Sequence, residues 1–377
     1  MSTEERYAAD RGPIEWDVKQ DYATTFRWEY DDGRDKLLNL YAKGKSLQWD
    51  AAERIDWSAE LDHDNPAQLP DEMIPIHGSD MWSRMTDGER ANLRRHFQSW
   101  QLSQFLHGEQ GALICTAKIV QQVPSMDAKF YAATQVMDEA RHVEAYSRLL
   151  HEKYDLIYPI NKHLQSLIGD TLSESRWDFT YLGMQVLIEG VALAAFGVIR
   201  DYAQNPLAAS VNAYVMQDEA RHVAFGRLAL RDYYPQLTQK ERDEREEFAV
   251  EGCYLLRDRF LGEDVWETLG LPVEECKQFV EIVGRRRAVA SADSHRGVDR
   301  MNQTKLLIVD QFPFLTFFDP LDRQTHLLFE LVERPVVQIR HARVHPHHRL
   351  NRRQRVFPRI GRVIHERLRD LHVLGKA

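Results

Sequence analysis

The pentapeptide Asp138-Glu139-Ala140-Arg141-His142 occurs twice in this chain. Its second copy, Asp218-Glu219-Ala220-Arg221-His222, follows eighty residues later. Residues three apart on an α-helix share a face. Glu139 with His142, and Glu219 with His222, therefore each offer a carboxylate beside an imidazole. One such pair is ordinary decoration of a solvated helix, but a further carboxylate keeps the same schedule. Glu109 stands thirty residues before Glu139, and Glu189 thirty before Glu219. Four carboxylates and two imidazoles form an oxygen-rich donor set, and the negative charge of four glutamates is balanced by two divalent cations. Such ligation suits iron or manganese better than zinc, whose sites favour sulfur and more histidine. Iron fits best, because carboxylates can shift their coordination while two irons jointly give electrons to dioxygen.

Helices must bring these groups together. Ser125, after Pro124, reads as the start of the helix carrying Glu139; Glu109 is 15 residues before Pro124 and Glu139 is 14 after Ser125. In an antiparallel hairpin both carboxylates then lie about 21 Å from the turn, at ~1.5 Å of rise per residue. Asn205-Pro206, a cap with proline at the first helical position, repeats the arrangement, with Glu189 16 residues before Asn205 and Glu219 14 after it. Two hairpins with ligands at matched depth bring all six groups to one point. Glu189 lies among Val186, Leu187, Ile188, Val191, Leu193 and Phe196, with no Lys or Arg between 177 and 199. A carboxylate there is costly unless paired or bound to metal.

This pattern resembles the ferritin-like diiron-carboxylate superfamily, in which two helices give one Glu each and two give Glu-x-x-His. That superfamily includes soluble methane and toluene monooxygenase hydroxylases, acyl-carrier-protein desaturases, arylamine N-oxygenases and ribonucleotide reductase small subunits. The resemblance rests on Glu109, Glu189 and the two pentapeptides, within roughly 87–233. It implies an all-α, ferritin-like four-helix bundle with helical N- and C-terminal additions. It also implies two iron ions held by Glu109, Glu139, His142, Glu189, Glu219 and His222. Dioxygen would oxidise a small organic substrate by hydroxylation, N-oxygenation or desaturation, with electrons from a ferredoxin or reductase. By the same resemblance, Asp138 and Asp218 each reach the histidine of the opposite hairpin, and Arg141 and Arg221 offset their charge.

Individual positions bear on the branch. The multicomponent hydroxylases usually carry a threonine four residues after the third glutamate, where this chain has Leu193. Ribonucleotide reductase small subunits carry a radical tyrosine four residues after the first ligand histidine, where this chain has Tyr146. Tyr146 is one turn beyond His142 on the same face, so it is either an electron source for the oxidised centre or core filling. A radical-generating oxidase and a non-catalytic iron-binding protein are the alternative functions. Leu106, Leu113, Cys115 and Leu193 are candidates for the substrate pocket.

The whole chain sets the frame. Its 377 residues, 43% hydrophobic, suffice for a sizeable core. Cys115, Cys253 and Cys276 show no paired spacing, which predicts a reducing compartment. No apolar leader follows Met1, so a cytoplasmic protein is expected. The apolar stretch 181–199 contains Glu189 and is followed by Arg200-Asp201, which predicts a buried helix and no membrane span. We divide the chain into an N-terminal wrapping segment (1–86), the dimetal-binding bundle (87–261) and a helical extension with a basic tail (262–377). Capping boxes are read at Thr86–Glu89, Thr171–Glu174 and Thr238–Glu241, the second opening the helix of Glu189 after a short helix at about 161–170. Trp16, Trp28, Trp49 and Trp57 are expected to bury against the bundle, with none selected as an electron relay. From Arg334 onward twelve Lys/Arg face two acids, a local charge of +10, against −9 for the whole chain. This tail suits docking of an acidic partner or packing on the acidic body. Nucleic acid, with anionic membrane the third account, is disfavoured by sparse aromatic interleaving and a body that repels phosphate. The aromatic run 312–318 is read as packing, and a homodimer is possible.

Overall fold

The computed structural model describes residues 22–26 and 33–294, with side chains to 283. The basic tail, the run 312–318, Trp16 and Trp28 lie outside them. Among the described residues the regular structure is helical. Short helices α1 (Asp35–Ser46), α2 (Ala51–Arg54) and α3 (Asp80–Arg84) precede α4 (Asp87–Gln122). The 36 residues of α4 span about 54 Å. α5 (Met126–Arg148) runs on into a π-helical turn, Leu149–Tyr154, and α6 (Lys162–Ser173) follows. α7 (Trp177–Tyr181), a π-helical stretch (Leu182–Ile188) and α8 (Glu189–Tyr202) form one continuous helix. α9 (Pro206–Arg231), α10 (Gln239–Arg259), α11 (Glu263–Thr268) and α12 (Val273–Ser294) complete the chain described.

Two hairpins, α4–α5 and α8–α9, make the four-helix bundle. Their starts are where the sequence signals them. Thr86 Oγ1 accepts from the Glu89 N–H while Glu89 accepts from the Thr86 N–H at 2.8 Å, and Thr238 with Glu241 does the same for α10. Asn205 accepts from the N–H groups of Leu207 and Ala208 at 3.0 and 3.2 Å. These bonds satisfy donors that the first helical turn otherwise leaves open.

The expected capping box at Thr171 is not formed. α6 runs through to Ser173, and the next helix begins at Trp177. Thr171 donates its hydroxyl to the Leu167 carbonyl inside α6. The α6 terminus is instead held by buried Lys118, whose Nζ donates to the carbonyls of Thr171, Leu172 and Glu174 at 3.2, 2.8 and 2.6 Å. A cation satisfying the last carbonyls of a helix outweighs the local capping signal.

The helix Trp177–Tyr202 is apolar and long enough to cross a membrane, but it is buried as the core of the bundle. Asp178 near its start is locked to Arg245 of α10 by two hydrogen bonds of 2.8 and 3.1 Å. Of the described N-terminal helices, α1 lies against α5 and α9, and α2 against α5. Trp57 and Trp82 are buried, with the Arg148 guanidinium 4.3 Å over the Trp57 ring. α11 and α12 close on the first turns of α4 through Phe97, Trp100, Val265, Trp266 and Cys276.

Candidate metal centre

Each bundle helix gives the interior one glutamate at mid-length, and two of them add a histidine one turn on. On these buried helix faces the six groups turn to each other. Glu139, His142 and His222 have no exposed surface, and Glu109, Glu189 and Glu219 stay within 5%. The six predicted residues meet in two overlapping sets, Glu109–Glu139–His142–Glu219 and Glu139–Glu189–His222, with donor atoms of each set within 4.8 Å of one another. His142 Nδ1 lies 3.1 Å from Glu109, 3.5 Å from Glu139 and 3.3 Å from Glu219. His222 Nδ1 lies 3.1 Å from Glu139 and 3.3 Å from Glu219. Glu139 and Glu219 thus stand between the imidazoles, with Glu109 and Glu189 at opposite flanks.

The other nitrogen of each imidazole faces an aspartate of the opposite hairpin. His142 Nε2 is 3.1 Å from Asp218 Oδ2, and His222 Nε2 is 3.3 Å from Asp138 Oδ2. Arg141 donates to Asp138 at 2.6 Å and to Asp218 at 2.9 Å, and Arg221 pairs with Asp218. Metal-bound histidine characteristically engages a carboxylate on its far side, which orients the ring and raises its basicity.

Electrostatics describe a buried, over-charged cluster. Burial pushes Glu109 and Glu189 well above the usual carboxylate range, and the neighbouring carboxylates add to this. Burial opposes ionisation of Glu139 too, but the two imidazoles beside it hold its carboxyl low. Burial alone would lower both histidines. Glu109 beside His142, and Glu139 beside His222, reverse this and hold them well above the ordinary value. Glu139 Oε2, Glu189 Oε2, both oxygens of Glu219 and His222 Nδ1 make no hydrogen bond among the described residues. Orphaned oxygens flanking imidazole nitrogens, in a site of excess negative charge, fit two divalent cations.

Three neighbours had no distinguishing signal in the sequence. Gln135, one turn before Glu139, donates its amide to Oε1 of Glu139 and of Glu189, at 2.9 Å each. Gln48 and Trp49, between α1 and α2, reach across from the N-terminal segment. Gln48 donates to Asp138 at 2.7 Å, and Trp49 Nε1 donates to Asp218 at 2.8 Å. The Arg141 guanidinium lies 4.8 Å over the Trp49 ring.

Tyr146 is fully buried and donates its hydroxyl to Asn212 at 3.0 Å. Burial first, then the charges of Glu109 and Glu219, push that hydroxyl well above its usual range. Its ring packs with Phe105 and Phe196 at centroid distances of 5.8 and 5.9 Å. Leu106 and Leu193 join this cluster. Cys115 does not; it packs with α6, α8 and α10 residues. Leu113 is half-buried.

The chain matches the family model described as p-aminobenzoate N-oxygenase AurF over residues 31–278. No curated protein matches it. Among solved structures it is similar to R2-like ligand-binding oxidase variants reconstituted with a Mn/Fe cofactor. One is 16% identical with a TM-score of 0.42, covering 67% of this chain and 91% of that one. Another is 16% identical with a TM-score of 0.41, covering 80% and 95%. The family match spans most of the described chain and takes in all six converging residues. The chain belongs to the p-aminobenzoate N-oxygenase AurF family and is a ferritin-like, non-haem diiron oxidoreductase that uses dioxygen on a small organic substrate.

Proposed function

We propose that the chain N-oxygenates an aromatic amine at a diiron centre. Glu109, Glu139, His142 and Glu219 would hold one iron, and Glu139, Glu189 and His222 the other. The observation that carries the ligand assignment is the position of Glu139 and Glu219 between the two imidazoles. Family membership favours the amine. Iron bound there would bind and activate dioxygen for reduction; the protein's residues place the metal and the substrate and exclude water from the reacting atoms. The net change is arylamine plus O2, two electrons and two protons to the arylhydroxylamine plus water. One oxygen atom enters an N–H bond and the other leaves as water.

The substrate belongs at the end of the centre built by Phe105, Tyr146, Leu193, Phe196 and Val215. Phe105, Leu193 and Val215 each lie one turn from a ligand glutamate, and Tyr146 one turn from His142. All five fall in one apolar cluster, a wall for a flat ring that also excludes water from the reacting atoms. Asp138 and Asp218 hold the imidazoles through Nε2 and keep Nδ1 free for metal. Tyr146, with its hydroxyl tied to Asn212, borders the substrate end and is the protein group placed to donate an electron there.

The two electrons come from a ferredoxin or reductase, and we assign its docking to the basic segment from Arg334 on charge alone. Cys115, Cys253 and Cys276 are free thiols, as suits a cytoplasmic protein; a homodimer is the assembly we favour. The function is tested by giving the iron-loaded, chemically reduced protein dioxygen and a panel of aromatic amines, with products read by mass spectrometry. Hydroxylamine or nitroso products are expected. Ring hydroxylation or desaturation without oxygen on nitrogen would refute N-oxygenation.

A further inference from the structure

The reaction consumes two protons at a centre with no exposed surface at Glu139, His142 or His222. Protons therefore have to cross the bundle. Two of the four ligand-bearing helices carry the same approach to their glutamate. α5 has Tyr131, Gln135 and Glu139, and the helix Trp177–Tyr202 has Tyr181, Gln185 and Glu189, four residues apart at every step. Each row lies along one face of its helix. The other two helices have no such row: Gln101 and Phe105 precede Glu109, and Val211 and Val215 precede Glu219.

The two rows share one end of the bundle. The Tyr131 and Tyr181 rings both pack on Phe225, with centroids at 4.5 and 5.0 Å. Gln185 lies so close to Gly226 that a Cβ added there would meet its Cβ at 2.6 Å. Gln135 joins the rows by donating to both Glu139 and Glu189. Tyr131, Gln135, Tyr181 and Gln185 are fully buried. Yet Tyr131 Oη, Tyr181 Oη, Gln135 Oε1 and both amide atoms of Gln185 have no hydrogen-bond partner among the described residues. One orphan of this kind is tolerable. Five polar atoms along two adjoining rows are stable only if something polar lies between them, and water is the partner small enough for such a gap. The outer end is Asp127, four residues before Tyr131. It is fully buried, its Oδ1 is likewise unpartnered, and its Oδ2 accepts from the Arg34 N–H at 2.9 Å. The Arg34 side chain is 29% exposed, which makes this the end of the α5 row nearest to solvent.

We propose that the two Tyr-x-x-x-Gln-x-x-x-Glu rows enclose a file of internal waters that is the proton entry to the centre. Protons enter near Arg34 and Asp127, pass between the Tyr131 and Tyr181 hydroxyls and the Gln185 amide, and reach the inner end beside the Gln135 amide. Gln135 is the positioning residue that holds Glu139 and Glu189 at the inner end. The inference rests on the diiron reading above, and its test separates the two.

The first measurement needs no metal. A high-resolution crystal structure should show ordered water within hydrogen-bond distance of Tyr131 Oη, Tyr181 Oη and the Gln185 amide; a dry interior overturns the proposal. The second uses Gln185→Met, which removes both polar amide atoms at similar volume, and Tyr181→Phe, which removes one hydroxyl should the methionine variant fail to fold. Iron content is measured first. Absence of iron from the unaltered protein would count against the centre itself, independently of the rows. In iron-replete variants, oxygen is added to the reduced protein in weak buffer with a pH indicator. Proton uptake slowed at least about tenfold, with a larger solvent isotope effect, is expected from losing a proton-transfer route. Uptake at the unaltered rate in an iron-replete variant overturns it.

Discussion

Asp218→Asn separates the roles of the two halves of the centre. Asp218 Oδ2 accepts from Trp49 at 2.8 Å, Arg141 at 2.9 Å and His142 at 3.1 Å, and Oδ1 pairs with Arg221. Asparagine keeps the shape but removes the charge, and turns amide hydrogens toward guanidinium or imidazole donors. Losing the carboxylate behind a metal-bound histidine typically costs about 10–100-fold in metal affinity, or about 1.4–2.8 kcal/mol. The loss should fall on the iron that His142 holds, because His222 leans on Asp138 instead. Breaking a buried pair also destabilises the fold by about 3–5 kcal/mol. The lower end is expected here, because Arg141 keeps Asp138 at 2.6 Å. The assay is iron retention against a competing chelator, with Asp218→Asn made alone and in His142→Ala and His222→Ala backgrounds. Its effect should vanish where His142 is already absent and persist where His222 is absent, which is how coupled and independent sites differ. Equal effects in both backgrounds would refute the pairing.

Glu139→Ala and Glu219→Ala should each lose at least one of about two irons per chain by elemental analysis; full metal in the double variant refutes the shared-ligand assignment. Tyr146→Phe should bind iron normally and lose about 1 kcal/mol with its bond to Asn212, as for a typical hydrogen bond. Altered oxidation kinetics in that variant would mark the phenol as a participant, and unchanged kinetics would reduce it to packing. Gly226→Ala places a Cβ 2.6 Å from the Cβ of Gln185. Overpacking of about 1–3 kcal/mol against a helix-propensity gain of up to about 1 predicts a net loss of stability on melting. Burial, helped by Glu247 and Asp170, pushes Glu251 up to about 7. A carboxyl raised on folding contributes stability below its unfolded value, which is lost as pH rises through 7. Melts from pH 5 to 8 should therefore fall less in Glu251→Gln than in the unaltered protein.

The bundle and its six converging residues were legible because their spacing repeats and each lies on a helix face. Depth from a turn and phase around a helix are both functions of residue number, so Glu109, Glu139, Glu189 and Glu219 can be placed without coordinates. The surrounding hydrogen bonds follow no such rule. Gln48 and Trp49 reach Asp138 and Asp218 across 90 and 169 residues of chain, from a segment with no period of its own. Thr171 had a capping signal as good as that of Thr86, and a lysine 53 residues away decided the helix end instead. Local propensity is overridden wherever a buried partner is available.

The eighty-residue repeat places the ligands symmetrically but not what surrounds them. Tyr131 corresponds to Val211, Gln135 to Val215, Gln185 to Phe105, and Gly226 to Tyr146. Tyr131, Gln135 and Gln185 bring polar groups to the Phe225 end, where their counterparts Val211, Val215 and Phe105 are apolar and belong to the Phe105–Phe196 end. Tyr146 packs on Phe105 as Gly226 lies against Gln185, the same contact rebuilt with opposite polarity. A metal-storage site gains nothing from such asymmetry. An oxygenase does, if it takes an apolar ring at one end of the centre and protons at the other, as proposed above.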